Sequence, residues 1–148
     1  MNVILSSNQF NKSSIYYDEP IQNIIMDNSK FIKITYSTED VMLSGIYLSL
    51  PIKYSKYEDF YKKTRVIYDT QLNYQLLNDI YEIETMILNK YSNNSKTQKR
   101  SLRNSLNTGV IKYFSMDNKP YNNNKVFILK ISGIWENDTE YGITYKIM

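Results

Sequence analysis

The chain has 148 residues, 42% of them hydrophobic, with 18 Lys and Arg against 15 Asp and Glu, and it contains no Cys and no His. That length suits one domain with its own hydrophobic core. The missing Cys and His exclude disulfides, thiol chemistry, Cys/His zinc sites and a histidine general base.

The opening stretch "MNVILSSNQFNKSS" has an apolar patch near Val3 to Leu5 that fits one short strand. It lacks a basic n-region and a true h-region, so no signal peptide is expected. Asp18-Glu19-Pro20 marks a turn. Residues 1–30 read as an N-terminal arm or edge strand ahead of the main body, 31–148, within a single domain. "KFIKITYS" (Lys30 to Ser37) alternates Phe31, Lys33, Thr35 with Ile32, Ile34, Tyr36, as a half-buried strand does. Thr38-Glu39-Asp40 breaks it. "VMLSGIYLSLPI" (Val41 to Ile52) is a second strand, with Gly45 marking a bulge or sharp bend and Pro51 an edge or an end. "TRVIYD" (Thr64 to Asp69) is a third.

The period then changes. Leu72, Leu76, Leu77, Ile80, Ile83 and Ile87 form one stripe of a helix from Gln71 to Tyr91. Asp69 or Thr70 can cap its start, Lys90 suits its C-terminal dipole, and Ser92-Asn93-Asn94-Ser95 ends it. "VIKYFSM" (Val110 to Met116) is a fourth strand, residues 117–124 are a turn or loop, and "KVFILKISGIWE" (Lys125 to Glu136) is a fifth with a break at Gly133. Asn137-Asp138-Thr139 turns the chain into "YGITYKI" (Tyr141 to Ile147), antiparallel to the fifth. The order of strands and helix predicts a mainly β, α+β domain. It fits a five- to six-stranded OB-like Greek-key barrel with the helix between strands three and four, Gly45 and Gly133 turning its corners. An α+β sandwich with the helix on one sheet face has the same order.

Catalysis is poorly supported by the sequence, a metal nuclease using scattered Asp and Glu alone being the one enzymatic alternative. The four glycines stand apart, so no phosphate loop forms. Glu136, Asp138 and Glu140 could hold a cation but lack the spacing of a calcium loop, and a solvated hairpin turn explains them. The chain is expected to be non-enzymatic, without cofactor or metal, and no apolar run approaches the ~18 residues of a membrane span.

Binding residues are richer. "KYSKYEDFYKKTR" (Lys53 to Arg65) interleaves Lys53, Lys56, Lys62, Lys63 and Arg65 with Tyr54, Tyr57 and Tyr61. Rings beside cations suit a flexible nucleic-acid strand, since bases stack on the rings and cations follow the phosphates. The same stretch fits a short amphipathic helix packing Tyr57, Phe60 and Tyr61. "SKTQKRSLRNS" (Ser95 to Ser105) carries Lys96, Lys99, Arg100 and Arg103 with no acid of its own, and reads as a flexible basic loop. A merely soluble loop is the alternative. The 15 Tyr carry no argument by number, because AT-rich coding favours Tyr, Asn, Ile and Lys alike. Strict alternation through Leu129, Ile131 and Gly133 puts Trp135 on the inward face, anchoring the closing hairpin; a surface ring that stacks a base is the alternative.

"ILKISGIWENDTEYGITYKI", with "FIKITYS" and "LSGIYLSLPI" upstream, resembles OB-type single-stranded-DNA-binding proteins of large nucleocytoplasmic DNA viruses. The resemblance spans about Phe31 to Met148. It implies a role in viral DNA replication, recombination or repair, and an intracellular location in host cytoplasm or a viral factory, as the absence of Cys also fits. Phage-type members end in an acidic recruiting tail, whereas this chain ends "TYKIM". The expected function is therefore a non-catalytic protein that coats single-stranded DNA, or RNA, as a monomer or a homo-oligomer. The alternative is a small viral structural protein that self-assembles or binds a protein partner through its Tyr-rich surface.

Overall fold

Alternating β-branched and aromatic residues make strands wherever one face can be buried, and this chain uses them to build two sheets. The computed structural model describes residues 3–22, 28–60, 62–92, 94–114 and 126–148. Two single 3-10 turns, Ser7–Gln9 and Lys12–Ser14, lead into β1 (Ile15–Tyr17), β2 (Ile21–Gln22), β3 (Lys30–Ser37), β4 (Met42–Ser44), β5 (Ile46–Leu50), β6 (Lys56–Phe60) and β7 (Lys63–Ile67). Then come α1 (Tyr74–Tyr91), β8 (Thr97–Lys99), α2 (Ser101–Leu106), β9 (Val110–Phe114), β10 (Phe127–Glu136) and β11 (Glu140–Ile147). The loop expected at 117–124 and Tyr61 lie outside the described residues.

The large sheet runs β1-β3-β10-β11-β8, with β2 and β4 also on β3 and β5 on β10. The small sheet runs β6-β7-β9. The chain is thus mainly β with one main helix, as expected for the α+β class, but its sheets are not closed into the expected barrel. The reason lies in strand pairing. After the helices, β9 returns to β7 and forms a sheet of its own, and no ladder among the described residues joins it to the large one. The long β10 instead pairs β5 through Phe127–Ile131 and β3 through Gly133–Glu136 along the same edge.

Gly45 makes that hand-over. The expected second strand is split there into β4 and β5, with Gly45 at φ +89. Its N–H donates to the Ile34 carbonyl at 2.9 Å, and an added Cβ would stand 2.9 Å from the Ile131 carbonyl oxygen. Beside it β10 carries a bulge: Ile131 faces Tyr145 and Gly133 faces Thr144, leaving Ser132 extra.

One face of the large sheet is buried. Ile32, Ile34 and Tyr36 of β3, Ile46, Leu48 and Leu50 of β5, and Phe127, Leu129, Ile131 and Ile134 of β10 join Leu77, Ile80, Ile83, Ile87 and Leu88 of α1 in one core. The small sheet closes it with Val66, Ile111 and Tyr113, the Tyr113 ring meeting Phe127 edge-on at 5.4 Å. The helix begins three residues later than its stripe predicts, so Leu72 is exposed. Asp69 caps the preceding turn through Gln71 N–H, and Asn73, buried, clamps Lys53 by accepting its N–H at 2.8 Å and donating to its carbonyl at 2.9 Å. Lys90 lies in the last turn of α1, as expected, and it has a second role. Its Nζ donates to the carbonyls of Lys12 and Ile15 and fixes the N-terminal segment, where β1 is an edge strand on β3.

Candidate nucleic-acid interface

The stretch from Lys53 to Arg65 is not a helix. It is the β6–β7 hairpin, turning at Lys62 with φ 77. Directly opposed residues of antiparallel strands share a face. Register therefore puts Lys56, Glu58, Lys63, Arg65 and Lys112 on one side, in the rows Lys56↔Ile67 and Glu58↔Arg65↔Lys112. The opposite side carries Thr64, Val66, Ile111 and Tyr113 into the core. Glu58 is the one carboxylate of that outward ladder among the described residues, at 3.1 Å from Lys56 Nζ and 3.6 Å from Arg65 Nε. Lys56, Lys62, Lys63 and Lys112 are exposed. Lys112 was absent from the candidates drawn from sequence; the alternation of "VIKYF" would have shown it outward, but only register places it beside Arg65. Tyr54 and Tyr57 do not line this ladder. Tyr54 packs against the core, and Tyr57, 43% exposed, projects to the other side. Lys53 is exposed beyond its clamp on Asn73.

The segment from Ser95 to Ser105 is ordered, not a free basic loop. It forms β8, parallel to β11, and α2. Its missing acids come from elsewhere in the chain. Lys96 Nζ lies 3.4 Å from Glu136 Oε1, and Lys99 Nζ lies 3.1 Å from Glu140 Oε2. Arg100 donates to Thr85 Oγ1 at 2.9 Å, and the Arg103 guanidinium sits 5.4 Å from the centre of the Tyr81 ring. Glu84, fully buried on α1, accepts the N–H groups of Leu102 and Arg103. Burial raises the Glu84 pKa, and these two hydrogen bonds and both arginines oppose the rise. Four of the twelve predicted site residues thus hold α2 and β8 in place. They belong to the large-sheet edge and to α2 with its N-cap, whereas Lys56, Tyr57, Lys63 and Arg65 belong to the small sheet.

Aromatic residues also stand on the outward face of the large sheet. The Ser132 bulge reverses the alternation of β10, so Ile134 turns inward and Trp135 turns outward, half-buried. The expectation of an inward Trp135 fails for this reason. An added Cβ on Gly142 would meet Trp135 Cζ2 at 2.9 Å, and one on Gly133 would meet Phe31 Cε2 at 2.8 Å. Each ring therefore lies over a glycine on a neighbouring strand.

Among the described residues no group of three Asp or Glu side chains is placed to hold a metal, and Glu136 and Glu140 are engaged with lysines. The Glu136 carboxylate also accepts the Tyr91 hydroxyl at 2.9 Å. Burial, and next that carboxylate, push the Tyr91 pKa far up, so it stays a neutral donor. No described helix is long and apolar enough to cross a membrane. No family model, curated protein or solved structure matches the chain.

Proposed function

We propose that the chain is a non-catalytic protein that binds single-stranded DNA, with the outward ladder of the small sheet taking the phosphates. The observation that carries the reading is the row Arg65↔Lys112, flanked by Lys56 and Lys63, with Glu58 as its one described acid. Like charges directly opposed weaken a sheet, and a phosphate between them removes that cost. Lys62 extends the ladder at the hairpin turn. This reading needs no barrel closure. The resemblance over about Phe31 to Met148 adds the context of viral DNA replication, recombination or repair.

The test is fluorescence anisotropy of a labelled oligo-dT of roughly thirty nucleotides, a length that exceeds common site sizes. It is run at two salt concentrations with duplex DNA as competitor and an oligo-rU arm beside it. The expected result is binding that weakens with salt and resists duplex. Replacing Lys63 and Lys112 together by Gln lowers the slope of log K against log salt by about 1.4, at ~0.7 per phosphate contact on a single strand. No binding at low salt overturns the reading, and equal competition by duplex restricts it to non-specific polyanion binding. The oligo-rU arm decides between DNA and RNA.

A further inference from the structure

We infer that the outward face of the large sheet is the base-stacking platform for an unpaired polynucleotide, with Trp135, Phe31 and Tyr47 taking bases and Lys33, Lys130 and Lys146 taking the backbone. The inference rests on the proposed function and names a surface that the basic segments do not include.

Three observations carry it. The first is the placement of the rings. Trp135 and Phe31 are directly opposed on β10 and β3, and each lies over a glycine, Gly142 and Gly133. With no side chain beneath it, a ring rests on the backbone and turns its other face outward. A base needs such a face, and every base has one to offer in return. The second is charge. Lys130 is directly opposed to Lys146 on β11 and to Tyr47 on β5, its Nζ 5.5 Å from the centre of the Tyr47 ring. Lys33 faces Gly133. None of the three lysines forms an ion pair among the described residues. The acids of this face stand at its margins: Asp18 accepts from Thr35 Oγ1, and Glu140 holds Lys99. A directly opposed Lys–Lys pair breaks the cross-strand rule, and such local violations mark functional sites. The third is openness. Phe31, Lys33, Tyr47, Lys130, Trp135 and Lys146 are all half-buried or exposed, whereas the other face is core.

The two ring stations are separated along β10 by five residues, one of them the bulge, or about 15 Å. A strand lying across both would span a few nucleotides. Duplex DNA cannot use the platform, because its bases are already stacked on one another.

Trp135 is the sole tryptophan of the chain, so its fluorescence reports on the platform directly. Wild-type protein is titrated with oligo-dT and, separately, with inorganic polyphosphate, while anisotropy of a labelled oligonucleotide follows binding. The expected result is quenching of Trp135 by oligo-dT and none by polyphosphate. Trp135→Leu weakens binding about tenfold, and Trp135→Phe restores most of it. Lys130→Gln with Lys146→Gln lowers the salt slope by about 1.4. Binding by anisotropy with unchanged Trp135 emission overturns the platform and leaves the proposed function standing on the small sheet. Absence of binding overturns both. A change of Trp135 emission with protein concentration alone, without oligonucleotide, overturns the platform in favour of contact with a second copy. If Trp135→Leu fails to fold, the wild-type quenching and the double lysine variant decide.

Discussion

The Glu84 carboxylate on α1 accepts the backbone N–H of Leu102 at 3.0 Å and so holds the first turn of α2. It takes the Arg103 N–H at 3.1 Å with its other oxygen. Glu84→Ala leaves both donors unpaired next to the core and costs about 2–4 kcal/mol in urea unfolding. The pH dependence has a definite sign. Burial holds the folded pKa of Glu84 above the ordinary value. The folded state therefore keeps this proton longer than the unfolded one, whose pKa is ~4.3. The stability it contributes is full below ~4.3 and is lost as pH rises through the raised folded value. Glu84→Gln does not titrate, so wild type should lose stability relative to it over that window. A constant difference between the two from pH 4 to pH 7 would sink the assignment.

Gly45 is expected to resist substitution. Its φ of +89 lies where L-residues are strained, and an added Cβ would stand 2.9 Å from the Ile131 carbonyl oxygen, which is backbone and cannot swing away. Gly45→Ala should destabilise by roughly 1–3 kcal/mol. An unchanged urea midpoint would show that the β3-to-β5 hand-over does not depend on this residue.

These two residues also show what the sequence carried. The bend at Gly45 was legible because an isolated glycine within a strand pattern has few other uses. The helix was legible because its stripe repeats for five turns, and its start was misplaced because Asn73 spends its side chain on Lys53 rather than on its own helix. Trp135 was misread because one extra residue, Ser132, inverts every later side chain of the strand, and alternation alone does not reveal it. The basic segment after α1 looked unbalanced because its acids, Glu136 and Glu140, arrive from the last hairpin. The Arg65–Lys112 row was hidden for the same reason, since register between distant strands is a tertiary property.

The lysines should separate into two kinds. Lys96 is only 22% exposed against a Glu136 that is 7% exposed, so Lys96→Ala removes a cation beside a buried carboxylate. It should cost about 1–3 kcal/mol of stability while oligo-dT affinity, compared at equal folded fraction, changes less than twofold. Lys112 is exposed and forms no ion pair among the described residues. Lys112→Gln should leave the free energy of unfolding in urea unchanged within ~0.5 kcal/mol and lower the salt slope of binding by about 0.7. The reverse pattern, with affinity following Lys96 and stability following Lys112, would move the phosphate contacts from the small sheet to the α2 segment.

Gly142→Ala tests how the outward tryptophan is seated. The new methyl group would meet Trp135 Cζ2 at 2.9 Å and, on its other side, the Lys99 carbonyl oxygen at 2.9 Å. The carbonyl belongs to the β8 ladder and is fixed, so the ring is the part that yields. Trp135 should lift from the sheet and become more exposed. Its emission should shift to longer wavelength and its quenching by iodide should increase, with a loss of about 1–2 kcal/mol in urea unfolding. Gly133→Ala, which crowds Phe31 and the Ile32 carbonyl instead, should destabilise without the same change in Trp135 emission. Equal emission shifts in the two variants would mean that the sheet face rearranges as a whole and that the contact between Trp135 and Gly142 is not what holds the ring down.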